Sequence, residues 1–156
     1  MVKSSCPKPD NTKIQAQYTD MSYGFPVVLK RVPMRNIRGV WVLDVNHQEL
    51  KRQIFTELIF KKSRLTGNEV RAIRLYFEMT SSEFGQRFNV SHVAVLKWAA
   101  QGDSPTKMRW SQEKDIRQQV IYKLGGDMRR ADEELRLPAD DVPSPVSVVM
   151  PISPDR

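Results

Sequence analysis

The stretch TSSEFGQRFNVSHVAVLKW, from Thr80 to Trp98, contains two short runs whose apolar residues have helical spacing, with Asn-Val-Ser between them. After glycine, asparagine is among the residues that best tolerate a left-handed backbone, so Asn89 suits a tight turn. Ser91 follows at once and is suited to cap the second run. The pattern therefore predicts two short helices joined by a sharp turn.

The two helices carry the residue types of a helix-turn-helix. Helices that cross steeply need a small residue where they meet, and Gly85 occupies that place in the first helix. A plain helical hairpin is the alternative, but it does not require this combination of glycine, turn asparagine and capping serine. The positions predicted to face the core are apolar, namely Phe84, Phe88, Val90, Val95 and Trp98.

The second helix of such a motif lies in the major groove of DNA, where its outward side chains face the base edges. Lys97 could reach guanine or a phosphate, and His92 a base or a phosphate. Val93 and Leu96 could touch thymine methyl groups, although an apolar pair would also fit a helix that binds protein. For each residue the alternative is an ordinary solvated side chain. The predicted DNA-contacting residues are Ser91, His92, Val93, Leu96 and Lys97 for the bases, and Ser81, Ser82, Arg87 and Lys107 for the DNA backbone.

Charge along the chain is unevenly distributed. Residues 1–63 carry 11 basic and 5 acidic side chains, residues 64–125 carry 10 and 6, and residues 126–156 carry 4 and 7. The first two segments suit a polyanionic partner, and the last does not. Solubility alone would also account for a net charge of +7.

The first 62 residues predict a small β-β-α unit. Residues 1–22 are expected to be poorly ordered or to form a weak strand near Lys13–Thr19. The β-branched runs Phe25–Pro33 and Asn36–Val45 predict two antiparallel strands. A change to helical spacing then predicts a helix over His47–Lys62, capped by Asn46.

The remaining chain predicts helices and then a tail. Thr66 and Glu69 form a capping box before one helix, and a further amphipathic helix over Trp110–Leu124 ends at two glycines. A short helix is possible before Pro138. Five prolines in the last 19 residues predict a disordered tail. The expected fold class is α+β: a β-β-α domain over residues 1–62, an all-α five-helix domain over residues 63–137 and a disordered tail over residues 138–156.

The segment Leu65 to Leu124 resembles the Xre/Cro-type helix-turn-helix of phage repressors. Taken whole, the chain resembles the MqsA/YgiT-type antitoxins, in which a zinc-binding N-terminal domain precedes such a helix-turn-helix. CPKP at Cys6–Pro9 stands where that family has a Cys-Pro-x-Cys knuckle. The resemblance implies a dimeric repressor of its own operon whose N-terminal domain captures a toxin.

Several residues depart from the family pattern. A closed zinc site needs four ligands, and this chain has one cysteine, so neither a metal nor another cofactor is expected. Val93 and Lys97 stand where the family uses asparagine and arginine for base contacts, and Ser81 stands where it often has glutamine. The operator of the family therefore cannot be transferred to this chain.

These observations predict a non-enzyme. No phosphate-binding loop or nucleophile motif is found in the sequence. The expected partners are double-stranded DNA, a toxin protein and a second copy of the chain, with the helix over Trp110–Leu124 as the dimer surface. The single cysteine, and the lack of a long apolar run or a signal segment, predict a cytoplasmic protein without a membrane span. The alternatives are a regulator of a phage or mobile element without a toxin, and a protein-interaction module without DNA binding.

Overall fold

The computed structural model describes residues 11–140, 142 and 144–150. This part of the chain is mixed α+β, with one four-stranded sheet and six helices. The elements in chain order are β1 (Thr12–Asp20), β2 (Val27–Ile37), β3 (Val40–Leu43), α1 (His47–Phe60), α2 (Gly67–Tyr76), α3 (Ser81–Arg87), α4 (His92–Ala100), α5 (Trp110–Leu124), α6 (Met128–Glu134) and β4 (Val146–Val149).

Strand β2 is the centre of the sheet. Strand β1 pairs with it antiparallel along nearly its whole length. On the other edge, β3 pairs antiparallel with residues 34–37, and β4 pairs parallel with residues 27–30. The buried residues of β2 are Val27 and Leu29 and then Val32 and Met34. The alternation of buried and exposed residues therefore shifts by one position between Leu29 and Val32. Arg31 lies at the shift with a φ of 59°, and this local kink lets both pairs face the core.

Of the two alternatives for residues 1–22, poor order or a strand near Lys13–Thr19, the described residues show the strand, as β1. The boundary between the next two strands differs from the prediction. Strand β2 continues through Pro33 to Ile37, and the chain turns at Arg38 and Gly39, which both have positive φ. Pro33 has no N–H, so the sheet lacks one hydrogen-bond donor at that position. Its carbonyl still accepts a hydrogen bond from Asp44 N at 2.8 Å, which keeps the strand paired there.

The tail corrects the prediction of disorder. Val146–Val149 form a strand, and Met150 N continues the pairing by donating to the Lys30 carbonyl at 2.9 Å. Val146, Val148 and Met150 are buried against the core, while Ser147 and Val149 are exposed. This alternation of buried and exposed residues is typical of a strand. The prediction of disorder rested on the prolines, but these lie outside the strand and do not interrupt its hydrogen bonds.

Truncation of the tail strand is therefore expected to cost stability. Val148→Ala removes two buried methyl groups and leaves a small cavity, so the free energy of unfolding should fall by about 2 kcal/mol in urea denaturation. Val149→Ala is the matched control, because Val149 is 58% exposed and lies in the same strand. An equal effect of the two substitutions would contradict the placement of β4.

The predicted helix caps are confirmed. Asn46 accepts hydrogen bonds from Gln48 N and Glu49 N at the start of α1, and Thr66 and Glu69 form a complete capping box at α2. Helix α1 ends at Phe60, two residues before the predicted end. The described part of residues 63–137 holds the five helices α2 to α6, and the division into domains at residue 62 stays a prediction.

A buried ion cluster joins α1 to α5. Both Arg117 and Glu113 have fully buried side chains, and their closest N···O distance is 2.6 Å. Arg117 also donates to the carbonyls of Ile59, Lys61 and Ser63, which lie at and beyond the end of α1. Burial lowers the pKa of Arg117, and the carboxylate of Glu113 opposes that shift. The cluster thus supplies donors to carbonyls that the helix itself leaves without partners.

Candidate nucleic-acid interface

Helices α3 and α4 are joined by the turn that the sequence predicts. Asn89 has a φ of 61°, in the left-handed region, and this prediction is confirmed. Val90 N donates to the Gly85 carbonyl at 2.8 Å, which closes the turn. The Ser91 side chain accepts from Ala94 N at 3.1 Å and caps α4, also as predicted.

The backbones of α2 and α3 lie very close to the backbone at the two ends of α4. A Cβ atom added to Gly85 would lie 2.6 Å from the Val90 carbonyl oxygen, so the predicted need for a small residue there is confirmed. A Cβ atom added to Gly67, at the start of α2, would meet the backbone of Trp98, Ala99 and Gly102. Glycines therefore let α2 and α3 come close to the backbone at opposite ends of α4.

The inward side of α4 packs on an aromatic core. Val95 and Trp98 are buried, and the Phe84 and Phe88 rings of the preceding segment lie 4.7 Å apart between centroids. Phe77 adds a third ring 6.4 Å from Phe84. Because these side chains fill the space behind α4, its orientation is set by packing and not by the short helix alone.

The outward side of α4 is free among the described residues. His92, Val93, Leu96 and Lys97 are all exposed, with Val93 at 48% and Leu96 at 51%. The helix contains no acidic residue. The structure therefore brings four predicted contact residues together on one face that carries a positive charge and two apolar groups.

The other predicted contact residues differ in availability. Ser82 and Lys107 are exposed, and Ser81 is half-buried. Arg87 is exposed but donates to the Gln119 side chain on α5 and lies over the Phe88 ring, so its guanidinium already has a protein partner. The Ser91 oxygen is occupied by its capping bond, which leaves its hydroxyl hydrogen to donate.

One exposed residue at this surface was not among the predicted contacts. The prediction treated Asn89 only as a turn residue, but it is exposed, three residues before the start of α4. An asparagine amide is a common hydrogen-bonding partner of adenine and of phosphates, so the residue type itself was the available signal.

Two further searches bear on other classes of function. Within the described residues, no three side chains among His, Cys, Asp and Glu lie close enough together to hold a metal ion, and Cys6 falls outside those residues. No helix of the described chain has the length and apolar content that crossing a membrane requires. No protein-family model, curated protein or solved structure matches this chain.

Proposed function

We propose that this protein is a sequence-specific DNA-binding repressor in which α3, the turn and α4 act as a helix-turn-helix of the Xre type. The observation that carries the proposal is the outward face of α4, where His92, Val93, Leu96 and Lys97 are exposed together. Close backbone contacts and an aromatic core fix the orientation of α4, so this short helix can enter a major groove as a rigid element.

Charge supports the same surface. The chain has a net charge of +7, and α4 has no carboxylate that would repel a phosphate backbone. Ser82 and Lys107 are exposed and can position the protein on the sugar-phosphate chain. Arg87 uses one donor on Gln119 and keeps further N–H groups that could reach a phosphate.

Replacement of Lys97 tests this proposal. Lys97→Ala should weaken binding to the specific duplex about fivefold or more, since a good contact to a base is worth about 1–3 kcal/mol. If Lys97 contacts a phosphate, the slope of log affinity against log salt should also become shallower by about one. Fluorescence anisotropy across a salt series measures both quantities.

Lys30→Ala is the matched control, because Lys30 is an exposed lysine on β2 and its loss changes the net charge equally. It should leave affinity within about twofold, with little change of slope. If the two substitutions weaken binding by the same amount, attraction by net charge explains the data and α4 is not the contact helix.

We further propose that the repressor is the antitoxin of a toxin–antitoxin pair and acts as a homodimer. Support for the antitoxin role is the resemblance to MqsA/YgiT-type antitoxins, and support for a dimer is that helix-turn-helix proteins usually bind paired half-sites. The test is to express any small gene that neighbours this one, alone and together with this chain. Growth arrest that this chain relieves supports the role, and a harmless neighbour contradicts it.

The exposed apolar pair on α4 favours one second candidate, a protein-interaction module without DNA binding. Val93 and Leu96 offer no hydrogen bond to a base, and a partner helix could cover them. Co-purification of a protein partner that is lost in Leu96→Ala, together with no binding to any duplex, would favour this candidate over the repressor.

A further inference from the structure

We infer that the protein selects its DNA site largely through the C5-methyl groups of pyrimidines, with Val93 and Leu96 as the residues that determine specificity. This inference rests on the proposed DNA-binding function and deepens it. It names the chemical feature of the major groove that α4 recognises, namely a pair of methyl groups and not a set of hydrogen-bonding base edges.

The first argument is the chemistry of the exposed face. Base recognition by hydrogen bonds uses mainly Arg, Lys, Asn, Gln, Asp or Glu, and on the outward face of α4 only Lys97 belongs to this group. His92 is a further possible donor. The two remaining outward residues are aliphatic, and both are about half exposed, so their methyl groups can contact a surface that faces α4.

The second argument is position. Val93 is the second residue of α4 and Leu96 is the fifth, and the N-terminal residues of a recognition helix are those that approach the bases. Three residues along a helix correspond to a rise of about 4.5 Å, and successive base pairs are about 3.4 Å apart. The two side chains therefore match methyl groups on neighbouring base pairs, since each base pair carries at most one C5-methyl group.

The face has no long aliphatic side chains besides Val93 and Leu96. The Ser91 oxygen accepts the capping bond from Ala94 N, and its hydroxyl hydrogen is left to donate. Ala94 and Ala99 on the same helix are half-buried and too short to reach far into a groove. Asn89, His92 and Lys97 can add polar contacts, and contacts to methyl groups are left to Val93 and Leu96.

Two bases carry the group in question. Thymine has a C5-methyl group in the major groove, and 5-methylcytosine has the same group at the same place. Binding should therefore respond to a methyl group on either base. Cytosine methylation within the site would strengthen binding wherever the methyl group falls under Val93 or Leu96.

The test begins by selecting bound duplexes from a random pool with the purified full chain. Each thymine of the selected site is then replaced in turn by uracil, which removes only the methyl group. One or two positions per half-site should bind about fourfold more weakly, the change that corresponds to ~0.8 kcal/mol for one buried methyl-sized group. At the same positions, a 5-methylcytosine pair should bind more tightly than a cytosine pair.

Variants connect the effect to its residues. In Val93→Ala and Leu96→Ala the penalty for uracil should shrink at one position each, which a double-mutant cycle measures. Leu75→Ala is the matched control, since Leu75 is exposed to the same degree, at 50%, but lies on α2. It should leave the uracil penalty unchanged.

The possible results distinguish recognition of methyl groups from the proposed DNA binding on which it depends. A uracil penalty together with a gain from 5-methylcytosine supports recognition of the methyl group on either base, and a penalty without that gain assigns the contact to thymine alone. A selected duplex that binds equally well with uracil at every position overturns the inference and leaves the proposed repressor standing. A selection that enriches no duplex overturns both.

Discussion

Arg117→Ala should lower the free energy of unfolding by about 3–5 kcal/mol, because it breaks a fully buried ion pair. The guanidinium makes five hydrogen bonds, two to Glu113 and three to main-chain carbonyls. Its removal leaves those carbonyls buried without donors and weakens the pairing of a carboxylate that has no access to water. Urea denaturation followed by circular dichroism measures the loss.

The chain offers a close control for this effect. Arg130 and Glu134 also form an i,i+4 ion pair at 2.7 Å, with the basic residue first and with side chains 47% and 34% exposed. Arg130→Ala should therefore cost less than about 1 kcal/mol. Arg117→Lys should lie between the two, since lysine keeps the charge but has three donors in place of five. A loss below about 1 kcal/mol for Arg117→Ala would contradict the buried cluster.

Gly67→Ala should lower the free energy of unfolding by about 2–3 kcal/mol. It should also weaken the proposed DNA binding, even under conditions where the variant is fully folded. The added Cβ would lie 2.7 Å from Gly102 N and 2.9 Å from the Ala99 carbonyl, both backbone atoms that cannot rotate away. Helix α2 must then move away from the end of α4. A change in the tilt of α4 displaces the side chains that the proposed function places in the major groove.

Gly126→Ala separates this steric effect from the general cost of replacing a glycine. A Cβ atom there would meet only the Ile121 side chain within 3.4 Å, and that side chain can adjust. Its effect on both stability and DNA binding should be small. Stability is measured in urea, and binding by anisotropy at a temperature where both variants are fully folded. Full DNA affinity in Gly67→Ala would show that the orientation of α4 does not depend on this contact.

Local features of the candidate site could be predicted from the sequence because single residues determine them. Asn89 in the left-handed region, Gly85 at the crossing and Ser91 as the cap each follow from a backbone requirement that few residue types satisfy. The core positions of α4, Val95 and Trp98, follow from helical spacing. These predictions needed no knowledge of distant parts of the chain.

Long-range features could not be predicted in the same way. The strand Val146–Val149 forms only because residues 27–30 of β2 offer a free edge, and no local pattern identifies that partner. Arg117 and Glu113 look like an ordinary exposed i,i+4 pair in the sequence, and their burial depends on the end of α1 more than 50 residues away. The bond between Arg87 and Gln119 likewise joins distant segments and reduces the availability of a predicted contact.

Fluorescence anisotropy can test whether α4 binds DNA in a sequence-specific way, as we propose. The purified full chain is titrated against a duplex from its own upstream region and against a scrambled duplex of the same composition, across a salt series. The account predicts tight binding to the upstream duplex, much weaker binding to the scrambled one, and a steep loss of affinity as salt rises. Equal weak binding to both duplexes, or no binding to either, would contradict it.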